Sequence, residues 1–273
     1  MAIQGAVQTL PRQMPRKAGL LLQIGLLTKR SLVTISRTPE ALLPPIAISV
    51  FFLIIYNSTL GKAAGFIPSI GGSYLGFILP LSIVSSSLSG SGIAAQNLVR
   101  DIESGYFDKT LLTPISRAAL IFGPILAGAL ILGLQSSIVI SIGLLMGLNS
   151  ATGFLGILAV IGLGVLLGMG FSGFTVSAAL GTGNAAATQG ASFVFFPLTF
   201  LAPTFVPLAL LDGWLKTAAT LNPITYVLEA MRDILNKGWA SAAIWQGVLA
   251  CLILAVATYV LAAFALRVRT RRS

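Results

Sequence analysis

The run GILAVIGLGVLLGMGFSGF, residues 156–174, holds nineteen residues without a charge, an amide or a proline. A bilayer core about 30 Å thick needs roughly 20 apolar residues wound as a helix. This run fits that need, and the rest of the chain resembles it. The 273 residues are 56% hydrophobic and 9% charged, with mean hydropathy +0.94. Soluble domains carry about 25% charged residues because water must be met by polar surface. The fold class that follows is an all-α membrane protein, and a soluble enzyme is excluded.

Working outward from residue 156, apolar runs of spanning length cover about 41–60, 71–95, 118–148, 153–180, 191–211 and 242–266. The fifth contains Pro197, Pro203 and Pro207, which leaves its extent open. Six spans put both termini on one side. Arg12, Arg16, Lys17, Lys29, Arg30 and Arg37 precede the first span, and Arg267, Arg269, Arg271 and Arg272 follow the last. With the N-terminus inside, thirteen of the seventeen Lys and Arg residues fall on the cytoplasmic side. The positive-inside rule therefore predicts cytoplasmic termini in a multi-pass protein of the plasma or inner membrane. Domain organisation follows: residues 1–40 form a cytoplasmic N-terminal region, 41–266 a six-helix membrane domain and 267–273 a basic tail. The net charge of +10 is read as anchoring at an anionic leaflet, not as nucleic-acid binding.

Residues 19–38 place Leu20, Ile24, Leu27 and Ile35 near one helical face and Gln23, Arg30, Thr34 and Arg37 near another. That pattern predicts an amphipathic helix lying at the interface and entering the first span across Pro39. Lys29 and Arg30 interrupt the run too early for a further transmembrane segment, and no small-residue cleavage site follows it. In the fourth span, Gly164, Gly168 and Gly170 allow close helix approach, read first as packing within one chain and second as a dimer seam or substrate surface.

Chemistry is sparse. The chain has no His and one Cys, Cys251, inside an apolar run. Histidine acid–base chemistry, a zinc site and an intrachain disulfide are excluded. No G-x-x-x-x-G-K-[ST] phosphate loop occurs, and no confident span carries an ionisable residue at its middle. Catalytic and metal-binding residues are thus expected to be absent, and energy for transport has to come from elsewhere.

Two segments interrupt the oily pattern. RDIESGYFDKTLLTPISR, residues 100–117, carries three acidic and three basic residues on the cytoplasmic side. It is predicted as a short helix over about 97–104 ended by Gly105, a second over about 106–112, and a turn into the third span. A solvated anchoring loop is the plainer reading. Yet acidic residues are unneeded for anchoring, and Leu98, Ile102, Phe107, Leu111 and Leu112 are too apolar for a loop. LNPITYVLEAMRDILNKG, residues 221–238, has Asn222 to cap a helix, Pro223 for its first position and Gly238 as its stop. Glu229 and Arg232, three apart, are expected to form a local pair. By topology this helix lies on the outer side, either dipping into the leaflet or resting at the interface.

Together the two segments resemble the membrane subunits of type-2 ABC exporters, including daunorubicin-resistance-type permeases. The match lies in the acidic residue, Glu, Gly, Leu-Leu-Thr-Pro and Arg of the first segment, and in Asn-Pro-x-Thr-Tyr and Glu-Ala-x-Arg of the second. The resemblance covers nearly the whole chain. It implies that Arg100, Asp101, Glu103, Gly105, Asp108, Leu111, Leu112 and Pro114 belong to a coupling region that docks on a separate ATPase subunit. It implies that Asn222, Pro223, Tyr226, Glu229 and Arg232 belong to an outer re-entrant region, about 203–238, that shapes the exit. It further implies two permeases with two ATPases, ATP and Mg bound by the ATPases and no cofactor on this chain. The substrate would be an amphipathic drug-like, lipid or glycolipid molecule. A self-sufficient channel or membrane scaffold is the alternative without an ATPase.

Overall fold

A computed structural model of the chain describes residues 19–38, 42–61, 74–204 and 207–272. Expectations that fall on Arg12, Arg16, Lys17, Pro39, most of the 61–70 loop with Lys62, and the start of the second span at Gly71 lie outside the described residues. Among these, all regular structure is helical: α1 (Leu20–Ser36), α2 (Leu43–Leu60), α3 (Tyr74–Glu103), α4 (Tyr106–Leu111), α5 (Arg117–Leu145), α6 (Gly153–Thr182), α7 (Ala185–Phe193), α8 (Phe195–Leu201), a 3-10 turn (Leu208–Leu210), α9 (Gly213–Leu221), α10 (Pro223–Asn236) and α11 (Ala242–Arg272). Helices α3, α5, α6 and α11 are long and apolar enough to cross a membrane, and Leu43–Thr59 and Ala185–Leu201 are shorter apolar helices.

Helix α6 is the hub, packed against α11, α3 and α5. Small and hydroxylated residues make this possible, because without a hydrophobic drive between helices in lipid, close approach and interhelical hydrogen bonds hold them together. Ser87 donates to the Gly164 carbonyl at 2.8 Å, Thr175 to the Ser91 carbonyl at 3.0 Å, and Thr258 of α11 to the Gly170 carbonyl at 2.7 Å. Gly164 and Gly168 face Ile83, Ser87 and Leu132, while Gly170 faces Leu254. These glycines therefore serve packing within the chain. Cys251 is buried in the same core as an inert small side chain.

Two apolar clusters divide the bundle lengthwise. One, holding Leu98, Phe107, Ile125, Leu180 and Leu266, lies at the end that carries the charged island; the other, holding Ile78, Ile83, Leu167, Ile224, Leu228 and Met231, extends to the far end.

Several boundaries differ from expectation, each for a local reason. The helix predicted over 97–104 is not separate. It is the last stretch of α3, whose 30 residues reach about 45 Å, well beyond a hydrocarbon core. The gap at 181–190, between the apolar runs 153–180 and 191–211, is the end of α6 and most of α7, restarted by Asn184, whose side chain accepts from the Ala187 N–H at 3.1 Å. The stretch 191–211 is not one helix: Pro197 would clash with the carbonyl four residues back, at Phe193, and the helix breaks there into α7 and α8. The tail from Arg267 continues α11. Finally, α1 turns a mixed face inward. Gln23, Thr28, Ser31 and Ile35 are buried, whereas Leu20, Leu21, Leu22 and Leu26 point away from the chain. Polar contacts to α5 select this face: the Ser116 N–H donates to Gln23 Oε1 at 2.7 Å and Thr28 donates to the Gly123 carbonyl at 3.2 Å.

Candidate functional site: a charged lug and a carbonyl-bound arginine

At the island end, α3 runs out to Glu103 and the chain reverses at Gly105, whose φ of +69° lies in the left-handed region that favours glycine. Helix α4 follows, and the turn Leu112–Ile115 leads to Ser116, which caps α5 by accepting from the Ala119 N–H at 3.1 Å. The predicted residues divide into two groups. Arg100, Glu103, Asp108, Leu112 and Pro114 are exposed, and Leu112 is the extreme case at 89%. Asp101 and Leu111 instead turn toward the bundle, Leu111 packing against the apolar cluster that holds Phe107 and Leu180. A helix of six residues cannot hold itself together in water, so its buried side is what keeps it in place.

That side includes contacts with no sequence signal. Arg30 of α1 forks onto Asp101 with bonds of 2.6 and 2.5 Å, and its guanidinium carbon sits 3.7 Å from the centroid of the Tyr106 ring. Hydrogen bonding to Asp101, opposed by desolvation, holds the Arg30 guanidinium above its ordinary pKa. Arg269 of α11 donates to the Leu180 carbonyl at 3.2 Å and lies 5.7 Å from the Phe107 centroid.

At the far end, Asn222 caps α10 as expected. Its Oδ1 accepts from the Ile224 N–H at 3.0 Å, its Nδ2 donates to the Leu198 carbonyl at 2.5 Å, and Pro223 takes the first helical position. Tyr226 donates to the Thr220 carbonyl at 2.7 Å, tying α10 to α9. The helix stops at Gly238, with φ +105°. Nine of its fourteen residues are buried and it packs on α11, α3 and α6, so it is an integral part of the bundle.

The expected Glu229–Arg232 pair is not an ion-pair contact. Arg232, 7% exposed, donates to the carbonyls of Phe77 at 3.0 Å, Pro203 at 2.7 Å and Thr204 at 2.8 Å. Its guanidinium also lies 3.6 Å from the Phe77 centroid. A charge taken out of water needs such compensation, and carbonyls in an irregular turn have no helical donors of their own. Arg232 thereby pins the turn after α8 to the start of α3. Glu229 is left beside it in a cavity of about 190 Å³ together with Asp233, Asn236, Lys237, Phe77 and Pro207. No cluster of metal-ligating side chains occurs among the described residues.

The profile of the ABC-2 type transporter family matches residues 22–236, from the first turns of α1 to the last residue of α10. The chain belongs to that family. This permease is 25% identical over 211 residues to a probable doxorubicin resistance ABC transporter permease of Mycobacterium tuberculosis, covering 77% of this chain and 76% of the relative. It is 27% identical over 239 residues to a daunorubicin resistance ABC transporter permease of Streptomyces coeruleorubidus, covering 86% and 81%. A putative transport permease of Cyanophora paradoxa is 26% identical over 212 residues, covering 77% and 73%.

One face of the permease departs from the lipid-facing pattern. Helices α2, α5, α6 and α11 leave large apolar side chains uncovered, among them Phe51, Leu130, Phe154 and Leu252. Helix α3 instead leaves Ser89 uncovered and Ser85, Ile93 and Gln96 half-buried along one strip, and α7 leaves Ala185, Ala186, Ala187, Gln189 and Gly190 uncovered. Gln96 and Gln189 bond to each other across the two helices at 3.3 Å. Amides and hydroxyls are poor neighbours for acyl chains.

Proposed function

We propose that this permease is the membrane subunit of an ABC exporter, moving an amphipathic drug-like, lipid or glycolipid molecule out of the cytoplasm or inner leaflet. A separate ATPase subunit binds ATP and Mg and docks on the lug. In this reading α2, α3, α5, α6, α7–α8 and α11 are the six spans, the region about 203–238 re-enters from the outer side, and both termini are cytoplasmic. The island end is then the cytoplasmic end. A second permease, identical or different, faces the Ser85–Ser89–Gln96–Gln189 strip, and substrate passes between the two. The names of the drug-resistance relatives support an amphipathic substrate; the polar strip supports a protein-lined path.

The observation that carries the reading is the lug. It leaves Leu112 almost fully uncovered, with Glu103, Asp108 and Pro114 also exposed, while its other side is held to the bundle. An apolar knob ringed by charge is a costly surface to leave in water and a good one to bury in a partner's pocket. The test is recovery of an ABC ATPase with the tagged chain from detergent-solubilised membranes of its own host. Leu112→Asp combined with Glu103→Ala is expected to cut that recovery by about tenfold or more while membrane insertion is kept. Undiminished recovery would remove the lug from the docking surface.

A further inference from the structure

The lug is held from two sides by arginines that come from opposite ends of the chain. Arg30 on α1 takes Asp101 and Tyr106; Arg269 on α11 takes Phe107 and the last turn of α6. Tyr106 and Phe107 are consecutive at the start of α4, so on a helix they project about 100° apart. Neither arginine behaves as a membrane anchor, whose head would reach out to phosphates and water. Arg30 has only 36% of its side chain exposed, and its forked bond has a planar fit that a mere surface charge would not need.

We propose that Arg30 and Arg269 are positioning residues of the coupling step, tying α4 to α1 on one side and to the α6–α11 pair on the other. This rests on the reading of the lug as the ATPase dock. The mechanical reason lies in the connections of α4. It joins α3 through the two-residue turn Ser104–Gly105, where the chain direction changes, and joins α5 through the irregular turn Leu112–Ile115. A short helix pushed by a partner and free at both ends would pivot on Gly105, and little motion would reach the bundle. With the ties in place the push has two routes. On one side it passes from Arg30 into α1 and on to α5 through the Gln23–Ser116 and Thr28–Gly123 bonds. On the other it passes from Phe107 and Arg269 to the Leu180 carbonyl and α6. None of the exposed docking residues is part of either tie.

The experiment uses the full chain with its co-purifying ATPase in nanodiscs, on a Cys251→Ala background with Trp239→Cys as reporter. Trp239 lies between α10 and α11 and is 52% exposed, within reach of a membrane-impermeant maleimide. Labelling rates are read with and without ATP and Mg, and amide exchange over 106–112 is read on the same samples. The parent is expected to label at an ATP-dependent rate. Arg30→Ala and Arg269→Ala should each keep the ATPase bound and hydrolysing, shrink the ATP-dependent change by about threefold or more, and raise exchange in α4. The swap Arg30→Asp with Asp101→Arg should restore much of both. Unchanged α4 exchange in both variants would overturn the ties themselves. Faster α4 exchange with the full ATP response retained in Arg30→Ala and in Arg269→Ala would leave the ties structural and overturn the positioning role. A parent from which no ATPase is recovered would sink the docking reading, and this proposal with it.

Discussion

Helix α3 is gripped by an arginine at each end, and the two grips differ in kind. Arg30 and Arg232 both lie over an aromatic ring, at 3.7 Å from Tyr106 and 3.6 Å from Phe77. Arg30, however, bonds a carboxylate at a partly open surface, with side-chain exposures of 36% and 20% for the pair. Arg232 is 7% exposed and bonds three backbone carbonyls. When the first grip opens, water can take over both charges, so opening costs little. When the second opens, a buried charge and the carbonyls of Phe77, Pro203 and Thr204 lose their partners together. The same side chain thus makes a reversible joint at the lug and a fixed pin at the far end. If the lug takes the push of an ATPase as proposed, a tie that can open and re-form sits where the push arrives, while the opposite end keeps its form.

The sharpest way to break that contrast is to remove the pin. Arg232→Ala leaves the turn carbonyls of Pro203 and Thr204 without donors and takes a second bond from the helical Phe77 carbonyl, at about 1–3 kcal/mol for each orphan that remains dry, so a loss of about 2 kcal/mol or more is expected. A thermal melt in nanodiscs should show a clear drop and poorer recovery of folded protein. Arg232→Lys keeps the charge but loses the fork that reaches three carbonyls at once, and should fall between. A melt of Arg232→Ala equal to that of the parent would mean that the turn after α8 does not depend on this residue.

What the sequence made legible, and what it hid, follows the same division between local and distant causes. Gly105 and the pair Asn222–Pro223 were readable because a left-handed turn and a helix cap are written within a few residues. The long apolar runs that became α3, α5, α6 and α11 were readable because hydropathy is local too. The start of α7 was missed because Ala185–Gly190 is small and polar, and a hydropathy window cannot separate a loop from a helix whose outward face is not lipid. The inward face of α1 was hidden because two polar bonds to the distant α5 choose it. Arg30 and Asp101, 71 residues apart, carry no joint signature. Arg232 was assigned to Glu229 because carbonyls, its true partners, are the same at every position.

A smaller effect is expected from stiffening the joint between α3 and α4. Nothing lies within 4 Å of where a Cβ on Gly105 would sit, yet its φ is +69°. Gly105→Ala therefore meets no clash and costs only backbone strain, about 1–2 kcal/mol. Exchange over residues 106–112 should rise while α10 stays protected and the overall melt barely moves. Gly105→Asn should do less harm, since Asn tolerates this conformation better than Ala. If the melt fell as far as it does for Arg232→Ala, the lug would be a structural keystone and the contrast between the two ends would fail.

The mildest probe is salt. Raising ionic strength from 0.1 to 1 M shortens the screening length from about 10 to about 3 Å. The Arg30–Asp101 pair is open enough to water for this to weaken it, by less than about 1 kcal/mol. Arg232 should not respond, because its partners carry no net charge and no solvent layer separates it from them. Exchange in α4 should therefore rise a few-fold at most between the two conditions, and exchange in α10 should not change. An equal rise at both ends would show that Arg232 is held by charges reaching it through solvent. A rise in neither would show that the Tyr106 ring and the apolar contacts of Phe107 hold α4 without help from the ion pair. Only a response confined to the lug fits a joint that is ionic and a pin that is not.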